Sequence, residues 1–150
     1  MKEYDISIWV DGNLEIQRDL VGFIEQYDLG KCPFYVRVHP CRRCVYDEAK
    51  ACIRLHKDTK ENINSQVDAY KKDGYPKNIG MAETNVLLRR HNDIKCQMLD
   101  NLWASELLKY SHRDQLSFNY VCWKMHFVPG IMKKEFKASN SFFKYNAHNV

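Results

Sequence analysis

An apolar strand that halts on an Asp-Gly-Asn corner constrains this chain more than any other feature. Ile6, Ile8 and Val10 alternate with Ser7 and Trp9, the two-residue period of a buried strand, and the apolar run stops at Asp11. Gly12 lets the backbone turn sharply, so Asp11 and Asn13 can point the same way and share one hard cation such as magnesium or manganese. Asp-Gly between alternating hydrophobics is also a leading signal for a plain type I′ hairpin, with Leu14 and Ile16 on the returning strand. Taken alone, the hairpin is the commoner meaning of such a corner.

With 150 residues, 45% of them hydrophobic and 13% aromatic, the chain is long enough for one globular domain with a real core. The balance of 23 Lys and Arg against 19 Asp and Glu leaves +4, too weak a charge to argue for nucleic acid even with Arg37, Arg42, Arg43, Arg89, Arg90 and a basic tail. A small phosphate-bearing substrate suits that charge equally well. No stretch has the continuous apolar length of a membrane span, and residues 1–5 lack the apolar core of a signal peptide. The expected setting is therefore cytoplasmic, with six cysteines kept as reduced thiols. Cys41 and Cys44 form one Cys-x-x-Cys, half of a zinc site, but no second pair follows it. The first strand begins so soon after Met1 that preceding sequence is expected to be missing.

Further along, Leu20, Phe23, Ile24 and Tyr27 share one face of a short helix from Asp19 to Tyr27, closed by Gly30. Residues 34–38 read as a strand stopped at His39-Pro40. A helix over 44–57 follows, then a second that Asp58 and Glu61 would cap, bearing Ile63, Val67 and Tyr70, and then a surface loop at 74–80. Residues 84–90 give another strand with a charged exit. A helix over 93–110 should turn Ile94, Met98, Leu102, Trp103 and Leu107 inward. Ser111-x-x-Asp114 has the form of a capping box opening a last helix with Leu116, Tyr120 and Trp123 on one stripe. His126 reads as a residue of an apolar strand, and the segment from Lys133 as a loosely attached tail after a domain of residues 1–132. Strands alternating with helices point to an α/β domain with a mixed sheet flanked by helices.

Three segments in order, residues 8–13 around Asp11, residues 81–92 from Met81 to Asn92, and residues 113–121 with Asp114-Gln115, look like the type A glycosyltransferase fold of the glycogenin and galactosyltransferase kind. With His39-Pro40 and residues 44–49 added, the chain more closely resembles a glycosyltransferase-like family first defined as a domain of unknown function, with plant mucilage-related and bacterial members. That closer resemblance covers roughly residues 4–124 and implies a partial type A fold without its N-terminal nucleotide-binding half.

The resemblance implies sugar transfer from a nucleotide-diphospho-sugar to a glycan or other acceptor hydroxyl, assisted by a divalent metal, manganese or magnesium. Asp11 and Asn13 would hold the metal, although Asn13 replaces a carboxylate of the wider motif by a neutral oxygen. Asp114 and Glu83 are the implied catalytic carboxylates, with Gln115 and Asn85 as hydrogen-bonding neighbours. Arg89, Arg90 and His91 form a basic cluster able to neutralise phosphate, and His39 and Arg42 join the same rim because ligands in open α/β sheets gather at strand carboxyl ends. The competing function is a noncatalytic carbohydrate- or protein-binding remnant of the fold.

Overall fold

A computed structural model describes residues 3–133 and 140–146. In chain order the elements are β1 (Ser7–Val10), β2 (Leu14–Ile16), α1 (Val21–Ile24), β3 (Phe34–Val38), α2 (Val45–Arg54), α3 (Lys60–Lys72), β4 (Ala82–Arg89), α4 (Ile94–Lys109), α5 (Asp114–Lys124), β5 (Gly130–Ile131) and β6 (Phe143–Tyr145). They form a mixed α/β fold that divides into two compact units. Described residues within 1–38, 84–96 and 129–150 make the first, and 39–83 with 97–128 the second.

The first unit carries a four-stranded sheet ordered β1-β4-β3-β5 and a two-stranded sheet of β2 and β6. β1 runs antiparallel to β4, with Ser7 opposite Arg89 and Val10 opposite Val86, whereas β3 and β5 are parallel. β5 can approach β3 closely because Gly130 has no side chain; a Cβ there would overlap the Tyr35 ring. The core of this unit is built around Phe23, whose ring meets Tyr27 at 5.2 Å and Phe143 at 5.3 Å in edge-on contacts. Leu14, Leu29, Val86, Leu88 and Met132 complete it.

The second unit is helical, and its centre is aromatic. Tyr70 stacks on Tyr120 with centroids 3.6 Å apart, and Tyr75 stands edge-on to both. Three of the unit's phenols find polar partners, which offsets the cost of burying a hydroxyl. Tyr46 donates to the Tyr75 carbonyl at 2.7 Å, Tyr70 to Glu106 at 2.9 Å, and Tyr120 to Asp73. Burial drives the Tyr70 and Tyr75 phenols well above their usual range and pushes Tyr120 to about 12.

Helices α2, α3 and α5 end alike. His56, Gly74 and His126 adopt left-handed φ values of 51°, 80° and 51°, and the amides of Lys57, Tyr75 and Phe127 return to the carbonyls of Cys52, Tyr70 and Cys122. This is the Schellman closure, in which one left-handed residue satisfies otherwise orphaned carbonyls. His126 is thus an exposed helix terminator and not a strand residue.

Several expectations need correction. β1 is an edge strand, so Ile8 and Val10 pack on the core while Trp9 is 51% exposed. β2 does not return along β1, and the plain hairpin fails: Ile16 lies opposite Phe143 of β6. Gly12 uses no left-handed conformation, and a Cβ there would meet nothing within 4 Å. The helix expected over 19–27 shortens to one turn, after which the amides of Gln26 and Tyr27 bond three residues back, to Phe23 and Ile24, in place of the α-helical pattern. Thr59, not Asp58, caps α3 by accepting from the Asn62 amide. Tyr75 is buried although its loop reads as surface.

On α4 the buried stripe is Cys96, Leu99 and Trp103, while Ile94 and Met98 are 66% and 55% exposed. The helix is apolar on several faces, so spacing alone left its inward face ambiguous. Ser111 does not cap α5; its hydroxyl donates to Asp58 at 2.6 Å, and Arg113 stands at the N-cap without a side-chain capping bond. The presumed tail supplies β6 and buried Phe143, with residues 134–139 and 147–150 outside the described residues. All six cysteines are free thiols, and no described helix is long and apolar enough to cross a membrane.

Candidate functional site

In the first unit the Asp11 corner is held by its neighbours' backbone. The Asp11 amide continues the β1–β4 ladder by donating to the Asn85 carbonyl at 2.8 Å, and the Asp11 carbonyl accepts from Leu14 at 2.9 Å to close the turn. Asn13 is tied on its other side, its carbonyl accepting from the Asn146 amide at 2.8 Å. Asp11 itself is exposed. One strand further in, the Arg37 guanidinium donates a long, 3.4 Å bond to the Asn85 side-chain oxygen. Arg37 is only 8% exposed, and a buried guanidinium at a strand end is costly enough to call for a purpose. Sequence reasoning gave Arg37 no part in this site; the available signal was a charge interrupting Phe-Tyr-Val-Arg-Val at a position where the strand is otherwise apolar.

Register removes the basic cluster from this corner. Arg89 lies opposite Ser7, at the start of β1, and Asp11 follows the far end of the same strand. Four residues of strand separate them by about 13 Å. Arg90 is exposed, and its amide donates to Pro33 at 2.8 Å; His91 follows in the same turn. Both carry positive or titratable groups, yet they belong to the opposite sheet margin from Asp11, Asn13 and Asn85. The expectation of one shared phosphate site fails because antiparallel pairing sends the exit of β4 back to the entrance of β1.

In the second unit, His39, Arg42, Glu48 and Glu83 come together. The Arg42 guanidinium pairs with the Glu48 carboxylate at 2.6 Å, the guanidinium side chain 29% and the carboxylate side chain 8% exposed. His39 Nδ1 accepts from the amides of Cys41 and Arg42 at 3.2 and 3.0 Å, so the ring proton resides on Nε2, which faces Glu48 at 3.7 Å. Burial lowers the His39 pKa below its usual value, against the raising pull of Glu48 and Glu83, so the ring is neutral at pH 7. The Cys52 thiol lies 3.5 Å from the other Glu48 oxygen, and Arg113 reaches the same thiol, which burial pushes up above the ordinary thiol range. Arg113 immediately precedes Asp114, so the Asp-Gln helix start adjoins this cluster through the Arg113 side chain.

Asp114 opens α5 with its carboxylate accepting the Gln115 amide at 2.9 Å, and its carbonyl takes a bond from Trp103 at 3.2 Å. Both Asp114 and Gln115 are half-buried, as is Glu83 near the start of β4. The adjoining strand start is fixed by Asn119, whose side chain accepts the Ala82 amide at 2.7 Å. Glu48, which the sequence offers as a rim or helix-cap residue, is the buried carboxylate of this cluster. Its position in the first turn of α2 gave no hint that it would be buried.

Comparison with known proteins places the chain in a family. Residues 2–148 match the model of a glycosyltransferase-like domain family, TOD1/MUCI70. An Arabidopsis thaliana protein described as a probable hexosyltransferase, MUCI70, is 32% identical over 124 residues, covering 77% of this chain and 21% of the relative. The chain thus spans about a fifth of the length of that curated relative. No solved structure matches.

Proposed function

This chain belongs to the TOD1/MUCI70 glycosyltransferase-like domain family, and from that premise we propose that it takes part in transferring a hexosyl group from a nucleotide-diphospho-sugar to an acceptor hydroxyl, with manganese or magnesium assisting. The observation supporting this reading is the row Asp11, Asn85 and Arg37, which sets a carboxylate-bearing turn beside a buried cation. A departing diphosphate accumulates negative charge, and prepositioned positive groups stabilise that charge most effectively in a water-poor setting. Arg37 supplies such a charge permanently, since a guanidinium does not deprotonate.

Asp11 and Asn13 would hold the metal. Among the described residues no group of three or more His, Cys, Asp or Glu gathers to cage an ion. One carboxylate and one amide oxygen suit a magnesium-like ion that takes its remaining ligands from substrate phosphates and water. When bound, such an ion supplies Lewis-acid stabilisation of the leaving group. Within the second unit, taken by itself, the same reading gives the carboxylates and His39 their own part. Asp114 and Glu83 can each accept a hydroxyl proton or orient the hydroxyl, and neutral His39 offers a proton fixed at Nε2.

The test is binding of a uridine-diphosphate sugar to the whole chain with and without manganese. Binding that requires manganese and disappears in a folded Asp11→Ala variant supports transfer chemistry. A folded chain with no donor affinity overturns it in favour of a noncatalytic carbohydrate- or protein-binding domain.

A further inference from the structure

A cavity of about 400 Å³ opens in the second unit between α2, α3 and the loop at Lys77 and Asn78, and none of His39, Arg42, Glu48, Glu83 or Asp114 lines it. Its lining residues are of three chemical kinds. Ala49, Ile53 and Val67 are aliphatic, Asn64 and Asn78 bring amides, and Lys50, Lys71 and Lys77 bring ammonium groups. The one carboxylate among its lining residues is Asp47, which is spent on Lys50 at 3.1 Å. Lys71 pairs with Asp68 at 3.0 Å, but both side chains are more than half exposed, and exposed pairs of this kind exchange readily for a better partner.

We propose that this cavity binds an anionic monosaccharide unit, a sugar phosphate or a sugar acid. The proposal goes beyond donor chemistry at Asp11 and adds a separate saccharide subsite. Its volume lies toward the small end of ligand pockets, about 300–1,000 Å³, which suits one or two sugar rings and not a polymer in cross-section. A pyranose presents an apolar C–H face, equatorial hydroxyls and one anionic substituent, and the cavity offers a counterpart to each: the aliphatic residues, the amides and the lysines. Lysines suit either anion because an ammonium acts as a rotatable point charge and does not demand the bidentate geometry of a guanidinium. Asn78 adopts a left-handed φ of 59°, a conformation that asparagine tolerates better than most residues.

The experiment titrates the whole chain with glucose 6-phosphate, glucuronate, glucose and inorganic phosphate, followed by calorimetry and by two-dimensional NMR of backbone amides. The expected result is binding of at least one anionic sugar, with shifts at residues 46–53, 64–71 and 77–78. Lys77→Ala and Lys71→Ala should each weaken it about tenfold, the worth of one charge-assisted hydrogen bond. Lys77 lies in a loop and should be replaceable without unfolding the chain, and far-ultraviolet circular dichroism checks this. Comparable affinity for glucose, equal affinity for inorganic phosphate, no binding, or binding indifferent to both substitutions overturns the proposal. Asp11→Ala should leave this binding intact, so failure of the donor reading and failure of this one are distinguishable.

Discussion

Glu48 and Arg42 meet at 2.6 Å in an ion pair whose carboxylate is buried and whose guanidinium reaches solvent. The two partners therefore differ in what they lose when separated. Arg42→Ala would strand the Glu48 charge inside the second unit, and breaking a buried pair in this way costs about 3–5 kcal/mol. Glu48→Gln, which leaves unpaired a guanidinium side chain that is 29% exposed and so in part hydrated, should cost less. Urea unfolding of the two variants measures the asymmetry, and equal losses would show that the pair is not shielded as described.

His39 should make stability depend on pH. Its folded pKa is lowered from 6.5, chiefly by burial, so the unfolded chain binds the proton more readily than the folded one. Stability from this group is fully present above about pH 6.5 and is lost as pH falls toward the folded value. His39→Asn keeps an acceptor for the amides of Cys41 and Arg42 but cannot titrate. Unfolding midpoints between pH 7.5 and about 5.5 should slope downward for the parent chain and more weakly for the variant.

Donor affinity should distinguish the two margins of the sheet. Arg37→Met, retaining volume without charge, is expected to weaken nucleotide-sugar binding about tenfold or more. Replacing Arg89 and Arg90 together by Ala should leave that affinity within about twofold at moderate salt, because screening suppresses charge effects beyond roughly 10 Å. Equal losses in both variants would contradict the separation set by the β1–β4 register.

Two helix closures leave stability unclaimed. His56 and His126 pay for a left-handed backbone that glycine adopts freely, and both are exposed. His56→Gly and His126→Gly should each stabilise the chain by about 0.5–1 kcal/mol, the left-handed cost less glycine's greater unfolded-state entropy. Chemical denaturation of the single and double variants should show the gains adding.

Gly130→Ala should do the reverse. The new methyl would collide with Tyr35, a ring pinned by its hydroxyl bond to the Asp28 carbonyl at 3.0 Å and packed on Tyr27 at 5.0 Å. A loss of about 1–3 kcal/mol is expected from overpacking. In the Tyr35→Ala background the same substitution should cost much less, and a double-mutant cycle isolates that coupling.

Local pattern reached some of this structure and missed other parts for physical reasons. The strand at Phe34–Val38 and the buried positions Leu116 and Tyr120 of α5 follow directly from their periodicities. Pairing partners do not, since alternation states that a residue faces inward and says nothing about which strand it meets. That is why Ile16 opposite Phe143 went unseen, and why the exit of β4 was placed with the wrong strand end. The carboxylates and amides of the candidate site were nameable from motif order, because polar residues at strand and helix ends stand out against apolar runs. Arg37 was not, since its part rests on burial and on a contact with Asn85 far along the chain, and Glu48 was nameable only as a rim or cap residue, since its burial is not written in the local pattern.

The interleaving of segments has a practical corollary for anyone dissecting this molecule. Each unit takes its residues from stretches interrupted by the other, and the polypeptide switches membership after Val38, Glu83, Cys96 and Val128. Any stretch that holds the whole of one unit carries residues of the other with it, so truncation cannot release either half by itself. Point substitution in the intact polypeptide is the route by which the two sets of functional groups can be silenced one at a time.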